Sequence, residues 1–339
     1  MIERIQRPSL LSHHQTERSL DFLQSVQLES GMIPWFIGGK ADPWNHSECA
    51  IALALGGRLE SAKLAADWLL ASQSADGSWC HFYQAKGIAE PRRDTNTCCY
   101  PIVLAAVLDF EANGEFETLP YINMALEGIE FVLNFQNGDG SIPWAIDPSG
   151  VPYEGSLVAA SASIYDSLML ASMLQEKYGL TMRRDFRGAA DSLRSSVEIM
   201  GGSYKDTSNW AMDWYYPVLA GLKTGQSLTD KFLDRFYAAN WGIRCLGKGE
   251  WFTTAETAES AMAMHISGEV PLSLELFAAI SKMRTADGGY LTGLVAPSGA
   301  SFPLNEKSAY SAAAVLIASY VLAQKPGRSF SEAVIGFFP

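Results

Sequence analysis

The sequence predicts an all-α protein in which six helix-pair repeats close into an (α/α)6 barrel, or toroid. Three observations lead to this fold class: a turn centred on glycine recurs six times, an amphipathic helical pattern precedes the turn, and an apolar helical pattern follows it. Repetition of one unit is typical of architectures in which each unit buries its apolar face against its neighbours. With 339 residues, of which 48% are hydrophobic and 18% charged, the chain can bury a large core.

The repeated turn is clearest in four of its six copies. These copies read "LESGMIPWF" (28–36), "QSADGSW" (73–79), "FQNGDGSIPW" (135–144) and "MRTADGGY" (283–290), and the less regular ones read "VEIMGGSYKD" (197–206) and "CLGKGEWFTT" (245–254). Glycine ends a helix in such a turn because, without a Cβ atom, it adopts a positive φ easily. We interpret Asp76, Asp139 and Asp287 as scaffold residues, since Asp side chains at turns commonly bond nearby backbone groups.

The two helices of each unit differ in their apolar pattern. The helix before the turn has apolar residues at threes and fours, as in "AKLAADWLLASQ" (62–73), which is typical of a half-exposed helix. The helix after the turn is apolar on nearly all sides, which is typical of a helix buried all round. The six apolar helices are predicted in "NHSECAIALALGG" (45–57), "DTNTCCYPIVLAAVLDF" (94–110), "ASIYDSLMLASMLQ" (162–175), "MDWYYPVLAGLKTG" (212–225), "AETAESAMAMHISG" (255–268) and "EKSAYSAAAVLIASYVLAQ" (306–324).

We therefore predict an inner ring of six buried helices inside an outer ring of six amphipathic helices. An open solenoid and two separate bundles are the alternatives, but the terminal repeats of a solenoid normally carry polar caps. Here the first and last apolar helices are as apolar as the middle ones, which favours closure. We find no strand pattern and no linker rich in Pro, Gly or Ser. One domain is expected over residues 1–339, with a lead-in over about 1–15 and a tail over about 325–339.

Charge and composition exclude several classes of partner. The formal net charge is −12 and no basic stripe is present, so nucleic acid is not an expected partner. No window is long and apolar enough for a membrane span, and the N-terminus lacks the pattern of a secretory signal. The five cysteines, with Cys98 and Cys99 adjacent, fit reduced thiols and predict a cytoplasmic location. No Cys–His spacing suggests a metal site, and we expect no cofactor.

The repeated turn resembles that of terpenoid cyclases and of protein prenyltransferase β subunits. The likeness spans the chain and is sharpest at Gln73, Asp76, Gly77, Trp79, Gln136, Asp139, Gly140 and Trp144. It implies an α/α toroid and an enzyme that uses acid–base chemistry on an isoprenoid-like small molecule in the barrel cavity. The chain departs from the cyclase motif Asp-x-Asp-Asp in "RRDTNTCC" (92–99), because Asp94 fits the first position but Asn96 and Thr97 replace the acids. It also lacks the Asp-x-Cys pair of the zinc-dependent prenyltransferases.

Two further functions remain open at this point. Similar α/α barrels carry glycosidases, polysaccharide lyases and sugar epimerases, so a carbohydrate-active enzyme with a carboxylate pair is the first alternative. The second is a non-catalytic binding barrel whose acids only cap helices. The expected partner is a small molecule, either an isoprenoid or a carbohydrate. The sequence does not fix the oligomeric state.

The candidate site lies where the inner helices begin, because their first turns converge on one mouth of a closed barrel. We select Asp94, Asp213 and Glu259 as candidate catalytic acids, since facing carboxyl groups raise one another's pKa and can divide acid and base roles. His46 joins them as the one histidine beside an acid, although a structural hydrogen bond is the alternative. The predicted substrate-binding residues are Trp44, Glu48, Arg92, Arg93, Asn96, Tyr165, Asp166, Trp214, Tyr215, Glu256 and Glu306.

Overall fold

A computed structural model of the chain describes residues 7–199, 201–222, 226–327 and 329–335. The helices are α1 His13–Val26, α2 Pro43–Leu55, α3 Leu59–Ser72, α4 Thr95–Cys99, α5 Pro101–Glu111, α6 Leu119–Leu133, α7 Val158–Tyr178, α8 Phe186–Ile199, α9 Met212–Leu219, α10 Gln226–Phe236, α11 Thr254–Ile266, α12 Val270–Ala279, α13 Ala309–Val321 and α14 Phe330–Ile335, with a 3₁₀ helix at Ile280–Met283. The strands are β1 Phe82–Gln84, β2 Gly87–Glu90, β3 Arg93–Asp94, β4 Ala145–Ile146, β5 Tyr237–Ala238, β6 Gly242–Ile243, β7 Trp251–Thr253, β8 Gly293–Val295 and β9 Ala300–Ser301.

Six helical units form a closed inner ring, and this confirms the predicted (α/α)6 toroid. Helix α2 packs on α5, which continues from α4, and the ring proceeds through α7, α9, α11 and α13 back to α2. The outer helices α3, α6, α8 and α12 pack against inner neighbours, as α1 does against α13. Among the helices described, none combines the length and apolar character that a bilayer crossing requires.

The short strands lie in the loops that lead to the inner helices. Strands β1 and β2 form a hairpin, β3 pairs with β4, β5 pairs with β6, and β7, β8 and β9 form a three-stranded antiparallel sheet. The sequence pattern did not predict these strands because none exceeds four residues, too few to establish an alternating pattern. They surround the mouth of the barrel at the N-terminal ends of the inner helices.

Burial along three of the inner helices, α2, α11 and α13, is nearly complete, and its exceptions point to the mouth. Helix α13 buries every residue except Tyr310, and α2 buries every residue except Asn45. Helix α11 likewise leaves only Ala255 and Glu256 incompletely buried. All four exceptions lie in first turns, so the rest of each helix is core and the open face of the ring begins at these positions.

The repeated glycine turn joins each outer helix to the next one around the ring. Gly140 has a φ of +85°, and a Cβ atom there would lie 2.2 Å from the carbonyl oxygen of Ser192 in α8. Nε2 of Gln136 donates to the carbonyl oxygens of Gly140 and of Ala189 in α8, at 3.1 and 3.0 Å. The glycine therefore permits close contact between helices, and the Gln links the two backbones.

The same contact recurs in the other clear copies. At Gly31, Gly77 and Gly288, a Cβ atom would lie 2.1, 2.5 and 2.2 Å from a carbonyl oxygen of α3, α6 and α1 respectively. In the less regular copies, Gly202 and Gly249 have open space where a Cβ atom would lie. The turn is repeated because the same packing problem arises at each junction of the ring, and it is relaxed where the helices do not approach so closely.

Candidate active site

A cleft of about 350 Å³ opens at the mouth of the barrel. Five of the six inner units contribute to it, together with the loops before α2 and α4. The lining residues are Trp35, Asp42, Trp44, Asn45, Glu48, His81, Phe82, Asn96, Thr97, Met212, Tyr215, Tyr216, Ala255, Glu256, Glu259 and Tyr310. Within the described ranges, four carboxyl groups and no Lys or Arg side chain line the cleft.

Asp42 begins the wall that α2 provides. It is the N-cap of the helix, and Pro43 occupies the first helical position, where a backbone N–H would have no partner within the helix. Its carboxylate accepts hydrogen bonds from the backbone N–H of Asn45 at 2.9 Å, from Nδ2 of Asn45 at 2.7 Å and from Nε1 of Trp35 at 2.5 Å. Three donors therefore fix the orientation of this carboxylate at the edge of the cleft.

Glu48 lies deeper on the same helix. Nε1 of Trp44 donates to its Oε1 at 2.9 Å, and the Tyr100 hydroxyl approaches the same oxygen at 3.5 Å. The rings of Trp44 and Tyr100 stack in parallel with centroids 4.5 Å apart. Burial raises the pKa of Glu48 well above its ordinary value, and the charge of Glu259 adds to this effect.

A second wall comes from α11, which presents Glu256 in its first turn and Glu259 one turn deeper. The hydroxyl groups of Tyr215 and Tyr216 both donate to the Glu259 carboxylate, the second at 2.9 Å. Burial raises the pKa of Glu259 to about 7, against the effect of the Tyr215 hydrogen bond and with support from the charge of Glu256. Glu259 is therefore a buried acid that can carry a proton near neutral pH.

An aromatic corner lies beside the Asp42 carboxylate. The ring of Trp35 contacts Phe82 and Tyr310 edge-on, with centroid distances of 5.4 and 5.6 Å. The ammonium group of Lys40 lies 3.3 Å from the centroid of the Phe82 ring and 4.8 Å from that of the Trp35 ring, and Lys40 does not line the cleft. Aromatic faces of this kind pack well against flat apolar surfaces, including the faces of sugar rings.

Six of the fifteen predicted site residues line the cleft, namely Trp44, Glu48, Asn96, Tyr215, Glu256 and Glu259. The structure places the other nine outside its lining. His46 is fully buried in the wall, where Nδ1 accepts from the backbone N–H of Ile33 and Nε2 contacts the carbonyl oxygen of Ala65, both at 3.0 Å. Burial lowers the pKa of His46 to about 4. These contacts are those of a structural histidine that joins α2 to α3.

Asp94 belongs to an ion cluster behind the cleft. Its carboxylate lies 2.7 Å from Nε of Arg92 and 3.0 Å from Nδ1 of His81, a cleft residue. Burial opposes ionisation of Asp94, but His81 and Arg92 outweigh it and the pKa is lowered. Arg93 is engaged elsewhere, with Asp76 at 3.2 Å. The two arginines therefore support loops and do not face the cleft.

The remaining predicted residues contact neighbouring loops and helices. Asp213 accepts from the backbone N–H of Ala159 at 3.1 Å, and Glu306 accepts from the Thr292 hydroxyl at 2.9 Å. Nε1 of Trp214 donates to the carbonyl oxygen of Ser208 at 2.8 Å, and Tyr165 is bonded to Arg194 of α8. Asp166 accepts from the Ser331 hydroxyl at 2.7 Å and lies below the cleft.

Several cleft residues were missed by the sequence analysis, above all Asp42, Trp35, His81 and Phe82. Asp42 carries a readable signal, because an Asp directly before Pro at the start of an apolar helix is typical of an N-cap. Trp35 lies within the first copy of the repeated turn, and the sequence analysis assigns it no role. Among the residues described, no group of three or more His, Cys, Asp or Glu side chains is arranged to hold a metal ion.

The sequence has a clear relative among characterised proteins, although no protein-family model matches it. It is 34% identical over 334 residues to an MMP endo-(1,4)-3-O-methyl-α-D-mannosidase of Mycolicibacterium hassiacum, in a match that covers 96% of this chain and 91% of the relative. The chain belongs to this endo-mannosidase family. The family assignment makes the protein a glycosidase-like enzyme.

Solved structures share the fold of this mannosidase-family chain. A wild-type glycosidase superposes with a TM-score of 0.70 at 13% identity, covering 97% of this chain and 100% of the other. An α-amylase from Clostridium perfringens gives 0.69 at 12% identity, covering 92% and 98%, and a D-mannose isomerase gives 0.68 at 10%, covering 92% and 97%. At these identities the likeness concerns the fold alone.

The predicted relation to terpenoid cyclases and prenyltransferases is wrong, and so are the isoprenoid chemistry and the transferase activity that it implied. The mannosidase-family match overturns them and favours the carbohydrate-active alternative. The physical reason lies in the repeated turn. Its Gln and Gly make backbone contacts between adjacent outer helices, as at Gln136 and Gly140, and these contacts close a barrel whatever chemistry the mouth performs.

Proposed function

We propose that the protein is an endo-acting glycoside hydrolase that cleaves internal α-(1→4) linkages in chains of 3-O-methyl-D-mannose. One observation carries this proposal: carboxyl groups on α2 and α11 line an aromatic cleft in a chain 34% identical to an endo-mannosidase of that specificity. Cleavage of a glycosidic bond needs an acid that protonates the leaving oxygen and a second carboxylate on the other side of the sugar. The two walls of the cleft supply both.

Glu259 is the proposed general acid. Its pKa of about 7, raised mainly by burial, leaves a large fraction protonated near neutral pH, which suits proton donation to a leaving group. The hydroxyls of Tyr215 and Tyr216 hold the carboxyl group in place. Glu256, one turn nearer the entrance and less buried, is proposed to bind the sugar hydroxyls next to the bond that breaks.

Asp42 is the proposed second carboxylate. It is the N-cap of α2, and both α2 and α11 pack against α13, so Asp42 and Glu259 belong to walls on either side of Tyr310. Its three hydrogen-bond donors fix its orientation, and its proposed role is to take a proton from an attacking water. Acid and base roles thus fall on different walls of one cleft.

The lining of the cleft also favours a neutral, methylated glycan. In the part of the chain that the structure describes, no Lys or Arg lines the cleft, so its lining has no such cation to pair with a phosphate or uronate group. The indole N–H groups of Trp35 and Trp44 are engaged by Asp42 and Glu48, so these two rings offer sugar units their aromatic faces and no free donor. A methyl ether adds apolar surface and removes a hydroxyl donor, which suits the aromatic corner.

Digestion of defined oligosaccharides tests this proposal. We expect the protein to convert an α-(1→4)-linked 3-O-methylmannose oligosaccharide into shorter oligosaccharides, detected by mass spectrometry. Glu259→Gln and Asp42→Asn should each lower turnover by about 100-fold or more, because each removes a proton-transfer group. Glu306→Gln is the matched control, since Glu306 lies near the mouth but outside the cleft lining. An intact methylated substrate, or a Glu306→Gln loss as large as that of Glu259→Gln, would refute the assignment.

A further inference from the structure

A small cavity lies beside the floor of the cleft. Its volume is about 20 Å³, which is room for one water molecule. Its polar lining consists of Glu48, Tyr100, Ser163, Asp166, Tyr216 and Glu259, and apolar side chains at the end of α9 and on α11, α13 and α14 complete it. Glu48, Tyr216 and Glu259 line both the cleft and the cavity, so the two spaces are adjacent.

The cavity contains an unmet hydrogen-bonding group. The Ser163 hydroxyl is buried, with 5% of the residue exposed, and it has no partner in the protein. A buried hydroxyl without a partner costs free energy, whereas an internal water typically makes about three hydrogen bonds to such groups. Asp166, one turn along α7 from Ser163, presents its carboxyl group to the same cavity.

We propose that a water bound in this cavity joins Asp166 to Glu48 and Glu259, so that the three carboxyl groups hold protons as one unit. Asp166 is then a positioning residue, which sets the pH at which Glu259 loses its proton. The three side chains are alike in burial, since Glu48, Asp166 and Glu259 are 7%, 8% and 9% exposed. The effect of Asp166 on catalysis rests on the proposed function, whereas the sharing of protons among the three carboxyl groups does not.

The charged and titratable groups around the unit favour proton retention. The groups that face Asp166 are Tyr100 beside α4, Tyr216 on α9, and Ser331 and Glu332 on α14, whereas Arg194 of α8 is bonded to the adjacent Tyr165. The groups that face Glu48 and Glu259 are Asp42, Trp44, Tyr215 and Glu256. Within the described residues, no Lys, Arg or His lines the cavity. Burial raises the pKa of Asp166 to about 7, against the effect of the Ser331 hydrogen bond.

The direction of the effect follows from charge. An ionised Asp166 disfavours ionisation of its two neighbours, so it keeps Glu259 protonated to higher pH. Asp166→Asn removes this charge while keeping the shape of the side chain. Glu259 should then lose its proton at lower pH, and the alkaline limb of the pH profile should move down by about 0.5–1 unit.

The first experiment measures kcat/KM for cleavage of the methylated oligosaccharide across pH. Asp166→Asn should move the alkaline limb to lower pH, because it removes a carboxyl group beside Glu259. Ser163→Ala removes the hydroxyl that binds the water, so in that background Asp166→Asn should move the limb less than it does in the wild type. Asp191→Asn, on the exposed face of α8, should leave the limb in place. An unshifted limb in folded Asp166→Asn, a shift to higher pH, or an equal shift with and without Ser163→Ala would overturn the proposal.

The second experiment reads the protons without catalysis. Infrared absorption of protonated carboxyl groups, followed across pH, should show buried acids that ionise near neutral pH in the wild type. In Asp166→Asn, the remaining buried acids, Glu48 and Glu259, should ionise with a midpoint at lower pH than in the wild type. If no glycan is cleaved but this midpoint moves, the proposed function fails while the shared proton stands. If glycan is cleaved but neither the limb nor the midpoint moves, the shared proton is the part that fails.

Discussion

Asp139 in a repeated turn and Glu259 in the cleft differ in their surroundings, and their pKa values shift in opposite directions. Asp139, exposed in a turn, accepts from the backbone N–H of Ser141 at 3.0 Å and from the hydroxyls of Ser141 and Ser203 at 2.6 Å, which lowers its pKa to about 2. Burial instead raises the pKa of Glu259 to about 7. Hydrogen-bond donors stabilise the ionised form of Asp139, whereas burial beside another acid favours the protonated form of Glu259.

The comparison also separates two roles of the fold. The turns hold adjacent outer helices together, and their polar groups are engaged by neighbouring backbone, as Gln73 is by the carbonyl oxygens of Gly77 and Met124. The mouth instead keeps several acids close together in a space that can admit a ligand. Burial of several acids at the mouth costs free energy, so the contacts between helices at the turns must supply a rigid scaffold.

The largest expected effect is a loss of unfolding free energy when a scaffold contact between outer helices is disrupted. Gly140→Ala places a Cβ atom 2.2 Å from a backbone oxygen of α8 and forces a side chain into a positive φ, so we expect a loss of about 4 kcal/mol or more in unfolding free energy. Gly150→Ala is the matched control, with a positive φ but open space around the Cβ atom, and should lose only about 1–2 kcal/mol. Urea denaturation measures both. Equal losses would mean that the close contact with α8 has no energetic importance.

A smaller effect is expected in the pH dependence of the unfolding free energy when a buried acid is replaced. The pKa of Asp166 is raised from 3.8 to about 7, so its stabilising contribution is complete below 3.8 and is lost as the pH rises through 7. Relative to wild type, Asp166→Asn should therefore gain stability between about pH 4 and pH 7, by on the order of 2–4 kcal/mol.

Asp139→Asn should show the opposite slope. The pKa of Asp139 is lowered, so its contribution is complete above its ordinary 3.8 and is lost as the pH falls through about 2. The variant should be less stable than wild type at neutral pH, and this deficit should shrink in acid. Unfolding of both variants by urea across a pH series gives the two slopes, and slopes of the same sign would contradict the opposed environments.

The fold could be predicted from the sequence because its signals are local. Apolar residues on all sides of a helix indicate burial, and the aligned glycine has a positive φ in five of the six turns, so the inner ring and its order followed from composition and periodicity. The strands at the mouth did not follow, because segments such as Arg93–Asp94 are too short to show a pattern.

The candidate site could be predicted only in part because its contacts are distant in sequence. The first turns of the inner helices identified the end of the barrel at which the cleft opens, but not which side chains face the cleft. Asp213 is bonded to the backbone of Ala159, 54 residues away, and Asp94 is paired with His81 across a hairpin. Neither partner can be recognised from local sequence. The repeated turn misled the functional prediction because it reports how helices pack and not what the mouth binds.

The most direct test of this account compares one acid from each region in a single assay. We would measure kcat/KM for cleavage of the α-(1→4)-linked 3-O-methylmannose oligosaccharide by wild type, Glu259→Gln and Asp139→Asn, with melting temperatures recorded for all three. The account predicts a loss of about 100-fold or more for Glu259→Gln and a change within about twofold for Asp139→Asn. Retention of wild-type cleavage by a folded Glu259→Gln, or an equal loss in Asp139→Asn, would contradict the assignment of the chemistry to the cleft.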